Sequence, residues 1–138
     1  MCDDVITVFN ARVDPQTGSA VYAPTVLWGA GWFSRVLCAV AEGGLKAAGQ
    51  AVVRIPAEVD AGGRRYVEPP EYRAAAEVGG LWTLQPGDVI VRGEAADQDF
   101  SPAALRERFG QVCTVLGVTD DRGARRGGHW KVTGSVER

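Results

Sequence analysis

The chain has one histidine, His129. Histidine is the side chain whose ordinary pKa lets it exchange a proton near neutral pH. Any other general base would have to be a carboxylate shifted by its surroundings. No G-x-S-x-G nucleophile elbow occurs, and Ser34 and Ser135 fall in strand-like runs with no local motif. His129 itself reads as the first residue of a strand beside Trp130. No catalytic residue is expected, and the chain does not read as an enzyme.

Cysteine is scarce as well. Cys2, Cys38 and Cys113 are far apart and odd in number, which argues against a disulfide framework and a zinc site. Cys38 and Cys113 lie in apolar runs and read as small core residues. Paired glycines occur at 43–44, 62–63, 79–80 and 127–128, but none fits a phosphate-binding or dinucleotide-binding pattern. Asp120 and Asp121 could open a calcium loop, but further ligands at regular spacing are missing. The expectation is therefore no metal and no cofactor.

Long apolar runs are absent too. None reaches the roughly 18 residues of a membrane helix. Met1-Cys2-Asp3-Asp4 has neither the positive nor the apolar region of a signal peptide. The reading predicts a soluble protein made in a reducing cytosol, with no membrane partner. Lysine is rare: Lys46 and Lys131 are two of fifteen cations, the rest being Arg. Net charge is −2 and the pI is about 5.4. No broad basic face is expected, so sequence-specific nucleic acid is not an expected partner.

What is present fits one globular domain of 138 residues, 46% hydrophobic and 23% charged. Residues 5–11 (VITVFNA) read as a strand. Residues 14–18 (DPQTG) form a turn and 21–28 the returning strand, giving a hairpin. Gly29 to Gly31 should break that strand. Residues 32–40 follow with both faces mixed, so a bend or a switch of sheet is possible there. The Gly- and Ala-rich residues 42–50 read as a loop leading into a strand at 51–55. Residues 64–67 read as a strand, 71–78 as one or two helical turns, and 81–84 and 89–93 as strands.

Ser101-Pro102 should start the clearest helix, near residues 101–110, with Leu105 and Phe109 on one face and Gly110 as its stop. Strands at 112–119 and 129–135 close the chain. Six to eight short strands without βαβ alternation predict a mainly β domain, an antiparallel barrel or sandwich with one helix packed on it. Trp28, Trp32, Trp82 and Trp130 adjoin apolar strands and are expected in the core, with one or two at an interface as the alternative.

The stretch WTLQPGDVIVRGE carries Asp88 and Glu94, which a quick reading would pair as catalytic acids. Six residues of strand separate them by about 20 Å. A catalytic carboxylate pair needs about 5 to 10 Å. Pro86-Gly87 is instead the signature of a type II turn. Asp88 is then its corner residue, and Glu94 the solvated end of the strand.

Several weak motifs recur in a fixed order. They are Asp14/Thr17/Gly18, Thr25/Gly29/Trp32, Ile55-Pro56, Gly87-Asp88/Ile90-Val91/Gly93 and His129-Trp130/Val132. In this order the chain resembles a family of small proteins encoded in the structural-gene blocks of tailed phages and prophages. The resemblance covers nearly the whole chain. It implies a head–tail connector, similar to head-closure (stopper) or joining proteins, assembling as a ring with itself and with portal or tail proteins. It implies a virion location after synthesis in the bacterial host cytoplasm. A tail-terminator or minor capsid protein is the alternative within the virion. A small ligand- or carbohydrate-binding β-barrel is the alternative outside it. For a ring subunit, the candidate interface residues are Arg64, Arg65, Lys46, Arg122, Arg125 and Arg126, in or beside the segments 42–50 and 120–128.

Overall fold

The computed structural model describes residues 4–14, 16–41, 44–95, 102–123 and 127–136. Its main body is a closed barrel of six antiparallel strands. They are β1 (Asp4–Val13), β2 (Ala20–Ala41), β3 (Gly44–Pro56), β6 (Val89–Arg92), β7 (Val112–Asp121) and β8 (His129–Val136). Around the barrel the order is β1-β2-β3-β8-β7-β6, with β6 closing onto β1. The mainly β class expected from the sequence is what the chain adopts. A short parallel pair, β4 (Arg65–Tyr66) with β5 (Leu81–Trp82), lies outside the antiparallel expectation.

Strand alternation sorts β1 cleanly. Ile6 and Val8 enter the barrel with Leu27, Val53, Ile55, Ile90, Cys113 and Val132. Phe9 points to the outer face and joins Val89, Val91, Val112 and Leu105 in a second cluster. Leu105 belongs to helix α2 (Pro102–Phe109), which covers that face. Both faces of β1 are thus buried, which is why its centre is apolar on consecutive residues. Leu105 and Phe109 share this cluster, and Gly110 ends α2 with φ 75°, as the sequence suggested. Ser101, the expected cap, lies outside the described residues, as do Cys2 and Pro15.

Two expectations are corrected. Gly29 to Gly31 does not end the second strand. β2 is continuous over 22 residues, pairing with β1 up to Ala30 and with β3 from Gly31 onward. Gly29, with φ 98°, is the extra residue where the register slips opposite Asp4 and Val5. A glycine absorbs such a bulge without strain, so the strand bends and changes partner instead of stopping. Residues 44–50 are likewise strand and not loop, because the rungs Ala41↔Gly44 to Arg35↔Gln50 extend the β2–β3 hairpin. Pairing outweighs the low strand preference of Gly and Ala here. The helical turns expected at 71–78 start and end earlier, as α1 (Pro69–Ala74), with the two prolines in its first turn.

The fates of the tryptophans differ. Trp32, Trp82 and Trp130 are buried, whereas Trp28 is 39% exposed and its backbone bridges to Asp60. Leu116 is also exposed, as the bulge residue between Val115 and Gly117. The Cys113 side chain is buried, and burial pushes its thiol up to about 12.

Candidate functional site

The most connected buried polar cluster stands where β6 stops pairing with β1. The last rung is Phe9↔Val89. Beyond it the edge of β1 meets the 85–88 turn. The Ala11 amide donates to Asp88 Oδ1 at 2.8 Å, and the Ala11 carbonyl accepts from Gln85 Nε2 at 2.7 Å. Two side chains therefore satisfy the backbone groups that a neighbouring strand would otherwise meet. Asn10 Nδ2 donates to Asp88 Oδ2 at 2.7 Å and to the Thr83 carbonyl at 2.6 Å, and Asn10 Oδ1 accepts from the Thr83 amide at 3.2 Å. Gln85 Nε2 also reaches Asp88 Oδ1, and Arg73 Nη1 donates to Gln85 Oε1, both at 3.2 Å.

The turn itself is as the sequence indicated. Gly87 has φ 93°, and the Asp88 amide donates to the Gln85 carbonyl at 3.2 Å. Its backbone also pairs with β7: Gly87 donates to the Val115 carbonyl, and the Val115 amide to that of Asp88. What the sequence reading missed is depth. Asp88 is 0% exposed. Burial pushes its carboxyl up to about 6, while donors from Ala11, Asn10 and Gln85 pull it back down. A signal was available. Asn10 is a polar residue at an inward position of an apolar strand, and such a residue needs a buried partner. Glu94 is exposed beyond the far end of β6, so the two carboxylates do not meet. With its oxygens occupied and no solvent access, Asp88 braces the barrel wall.

A second cluster is aromatic. Tyr66, Trp82 and Trp130 pack with ring centroids 4.5 to 5.3 Å apart. Arg122 lies over the Tyr66 and Trp130 rings at 5.0 and 4.8 Å. Its guanidinium also binds Asp120 Oδ2 at 2.6 Å and Glu68 Oε1 at 2.9 Å. The Arg122 hydrogen bonds hold the Asp120 carboxyl below its usual range. Beside this group lies a cleft of about 250 Å³, lined by Tyr66, Pro69, Leu84, Pro86, Val118 and Trp130 among others. His129 starts β8 beside it, with Nδ1 2.7 Å from the Gly127 carbonyl and 3.3 Å from Arg54 Nη2.

A larger cleft, about 320 Å³, opens under the β1–β2 hairpin. Val13, Val21, Ala23, Tyr72, Ala76 and Val78 form its apolar lining, with Arg12 and Asp14 beside them. Val13 is 64% and Val21 53% exposed. The Arg12 guanidinium donates to the Ala75 carbonyl and ties this wall to the end of α1. The Tyr72 hydroxyl is buried without a hydrogen-bond partner among the described groups.

The sequence-derived interface residues are dispersed. Arg64 Nη1 donates to the Pro24 carbonyl at 2.7 Å and to Thr25 Oγ1 at 2.9 Å, fastening the 61–67 segment to β2. Arg65 is exposed and 3.9 Å from Glu71. Arg122 is the one integrated into the aromatic cluster. Arg64 and Arg65 lie in the 64–72 segment, and Arg122 reaches it at Glu68 and Tyr66. Lys46 sits on β3 opposite Ala39, ten residues and roughly 33 Å of strand from Pro56. Arg125 and Arg126 lie outside the described residues. Among those residues, no group of three His, Cys, Asp or Glu side chains is placed to hold a metal ion. No described helix is long and apolar enough to cross a membrane.

No curated protein and no solved structure matches the chain significantly. A family model described as "Family of unknown function (DUF6751)" matches residues 1–135. The chain, from its first residue almost to its last, therefore belongs to the DUF6751 family.

Proposed function

We propose that this protein is a structural subunit of a tailed-phage or prophage virion, a head–tail connector that assembles in a ring against portal or tail proteins. The observation that carries the reading is the course of β2. It leaves a closed barrel at both ends, pairing with β1 in one hairpin and with β3 in the other. A ring subunit needs a rigid body and two unlike surfaces, one for each neighbour. The closed barrel supplies the first, and hairpins at opposite ends supply sites for the second. The ordered motifs shared with phage structural-block proteins support the same reading.

The test is copurification with a tailed-phage portal protein from the same source, followed by electron microscopy. The expected result is a ring of this protein seated on the portal ring. A chain that passes through the portal column unretained, at all salt concentrations, would remove the connector assignment. Saturable binding of an oligosaccharide by that same chain would favour the ligand-binding alternative.

A further inference from the structure

We propose that the cleft beside Tyr66 and Trp130 receives the arginine side chain of another polypeptide, with the Glu68 carboxylate as its ion-pair partner. The proposal goes beyond the assembly reading and does not depend on it.

The chemistry starts from a charge count. Glu68 and Asp120 both line the cleft, and Arg122 binds both. Two carboxylates against one guanidinium leave one negative charge over. Asp120 commits both oxygens to Arg122: Oδ1 accepts from Nε at 2.9 Å and Oδ2 from Nη2 at 2.6 Å. Glu68 gives only Oε1, at 2.9 Å, and its Oε2 meets no donor among the described residues. Nor does the Glu68 carboxylate serve its own helix. Glu68 is the N-cap residue of α1, yet its side chain makes no capping bond. Pro69 and Pro70 begin that helix without N–H groups, which leaves a cap little to satisfy. The carboxylate instead reaches Arg122 on the far side of the cleft, with its side chain 60% exposed, where a second cation can meet it.

The rings specify which cation. Arg122 lies over Tyr66 and Trp130 at 5.0 and 4.8 Å, so the chain itself shows that this aromatic corner accepts a guanidinium. A guanidinium is planar, forks onto a carboxylate and stacks on rings, which a compact ammonium does less well. Leu84, Pro69, Pro86 and Val118 give the cleft apolar walls for an aliphatic stem. Trp130 is a further wall, 2% exposed, and its Nε1 has no acceptor among the described groups. A peptide carbonyl beside the arginine is an acceptor of the kind that donor lacks.

Size and supply decide the source. Pockets for small molecules measure about 300 to 1,000 Å³. This cleft, at about 250 Å³, falls below that range and suits one long side chain. The other arginines whose side chains are described already have partners. Arg12, Arg64, Arg73 and Arg92 donate within the fold, and Arg54, Arg65 and Arg108 rest against His129, Glu71 and Phe109. A second copy would have to break one of these contacts to fill the cleft, so the occupant is a different chain.

The test titrates the full chain with acetyl-Gly-Arg-Gly-amide, followed by tryptophan emission and by amide shifts in NMR. A control peptide carries citrulline, the uncharged isostere of arginine, in the same place. The arginine peptide should bind saturably, and the citrulline peptide about tenfold more weakly. Shifts should centre on Tyr66, Glu68 and Val118 and on the Trp130 indole N–H. Glu68→Gln, a change at an exposed side chain, should weaken the arginine peptide about tenfold through loss of a charge-assisted hydrogen bond. Near-ultraviolet circular dichroism checks that this variant is folded, and the citrulline comparison needs no variant.

No saturable binding of the arginine peptide, equal binding of the two peptides, shifts that fall away from the cleft, or a folded Glu68→Gln that binds like wild type would each overturn the proposal. Tetramethylammonium binding as tightly as the arginine peptide would make the occupant a free ammonium compound and overturn it too. So would a wild-type dimer that Glu68→Gln dissociates, because it would place a second copy in the cleft.

Discussion

Asn10 Nδ2 donates to Asp88 Oδ2 at 2.7 Å across 78 residues of chain, and both side chains are fully buried. One amide thereby fixes the start of β6 and the loop after β5 against β1. The Asn10→Ala variant would strip hydrogen bonds from the Thr83 amide and carbonyl as well as from Asp88. The expected cost is about 3 kcal/mol, because buried partners are left unpaired. Urea unfolding monitored by tryptophan fluorescence measures it. A loss under about 0.5 kcal/mol would mean that water replaces the amide at no cost.

Asp88 should leave a signature in the pH dependence of stability. Its folded pKa, about 6, lies above the ordinary 3.8. Between those values the folded chain keeps a proton that the unfolded chain has lost. The contribution of this group is therefore greatest below about pH 4 and falls as pH rises through 6. Relative to Asp88→Asn, wild type should lose up to about 3 kcal/mol across that window. Denaturant midpoints at half-unit pH steps test this, and parallel curves for the two proteins would contradict it.

Gly93 packs directly against helix α2. Its φ is 139°, and a Cβ there would stand 2.7 Å from Phe109 Cδ1. Its amide donates to the Val5 carbonyl and its carbonyl accepts from Thr7 Oγ1, both at 2.8 Å, so the backbone cannot slide away. Gly93→Ala should cost about 2–3 kcal/mol through strain and a displaced α2. Pairing it with Phe109→Ala should recover the steric part only. A double-mutant cycle reads the coupling directly.

Arg122→Ala should act mainly locally. The ion pairs with Asp120 and Glu68 are largely exposed and worth little, so the stacking over Tyr66 and Trp130 carries most of the effect. A loss of about 1 kcal/mol is expected, with a red-shifted tryptophan emission as Trp130 gains water. The Asp120 carboxyl should rise to its usual range, which a pH titration by NMR would report.

Much of this architecture was legible from the sequence. The 5–11 strand, the Pro86-Gly87 corner, the helix stop at Gly110 and the closing strands follow from local chemistry, which short-range patterns encode. The errors fell where long-range pairing overrides local preference. Gly29 reads as a breaker and is a bulge, because β1 and β3 hold the strand together on either side. The Gly- and Ala-rich 44–50 run reads as a loop and is a strand, because β2 lies beside it. The same limit applies at the site. Spacing excluded an Asp88–Glu94 pair, but no spacing rule links Asn10 to Asp88. The apolar cleft under the first hairpin depends on Val78 and Val21 meeting, which the folded chain alone arranges.

The continuity of β2 has a mechanical consequence. The two hairpins share one uninterrupted peptide, and the barrel ladders run along its middle. A pull applied between the hairpin tips is borne by covalent bonds along that peptide. Its neighbours are loaded in shear, with many hydrogen bonds resisting together rather than opening one at a time. The body of the barrel is wound round one continuous strand, with a hairpin at each end.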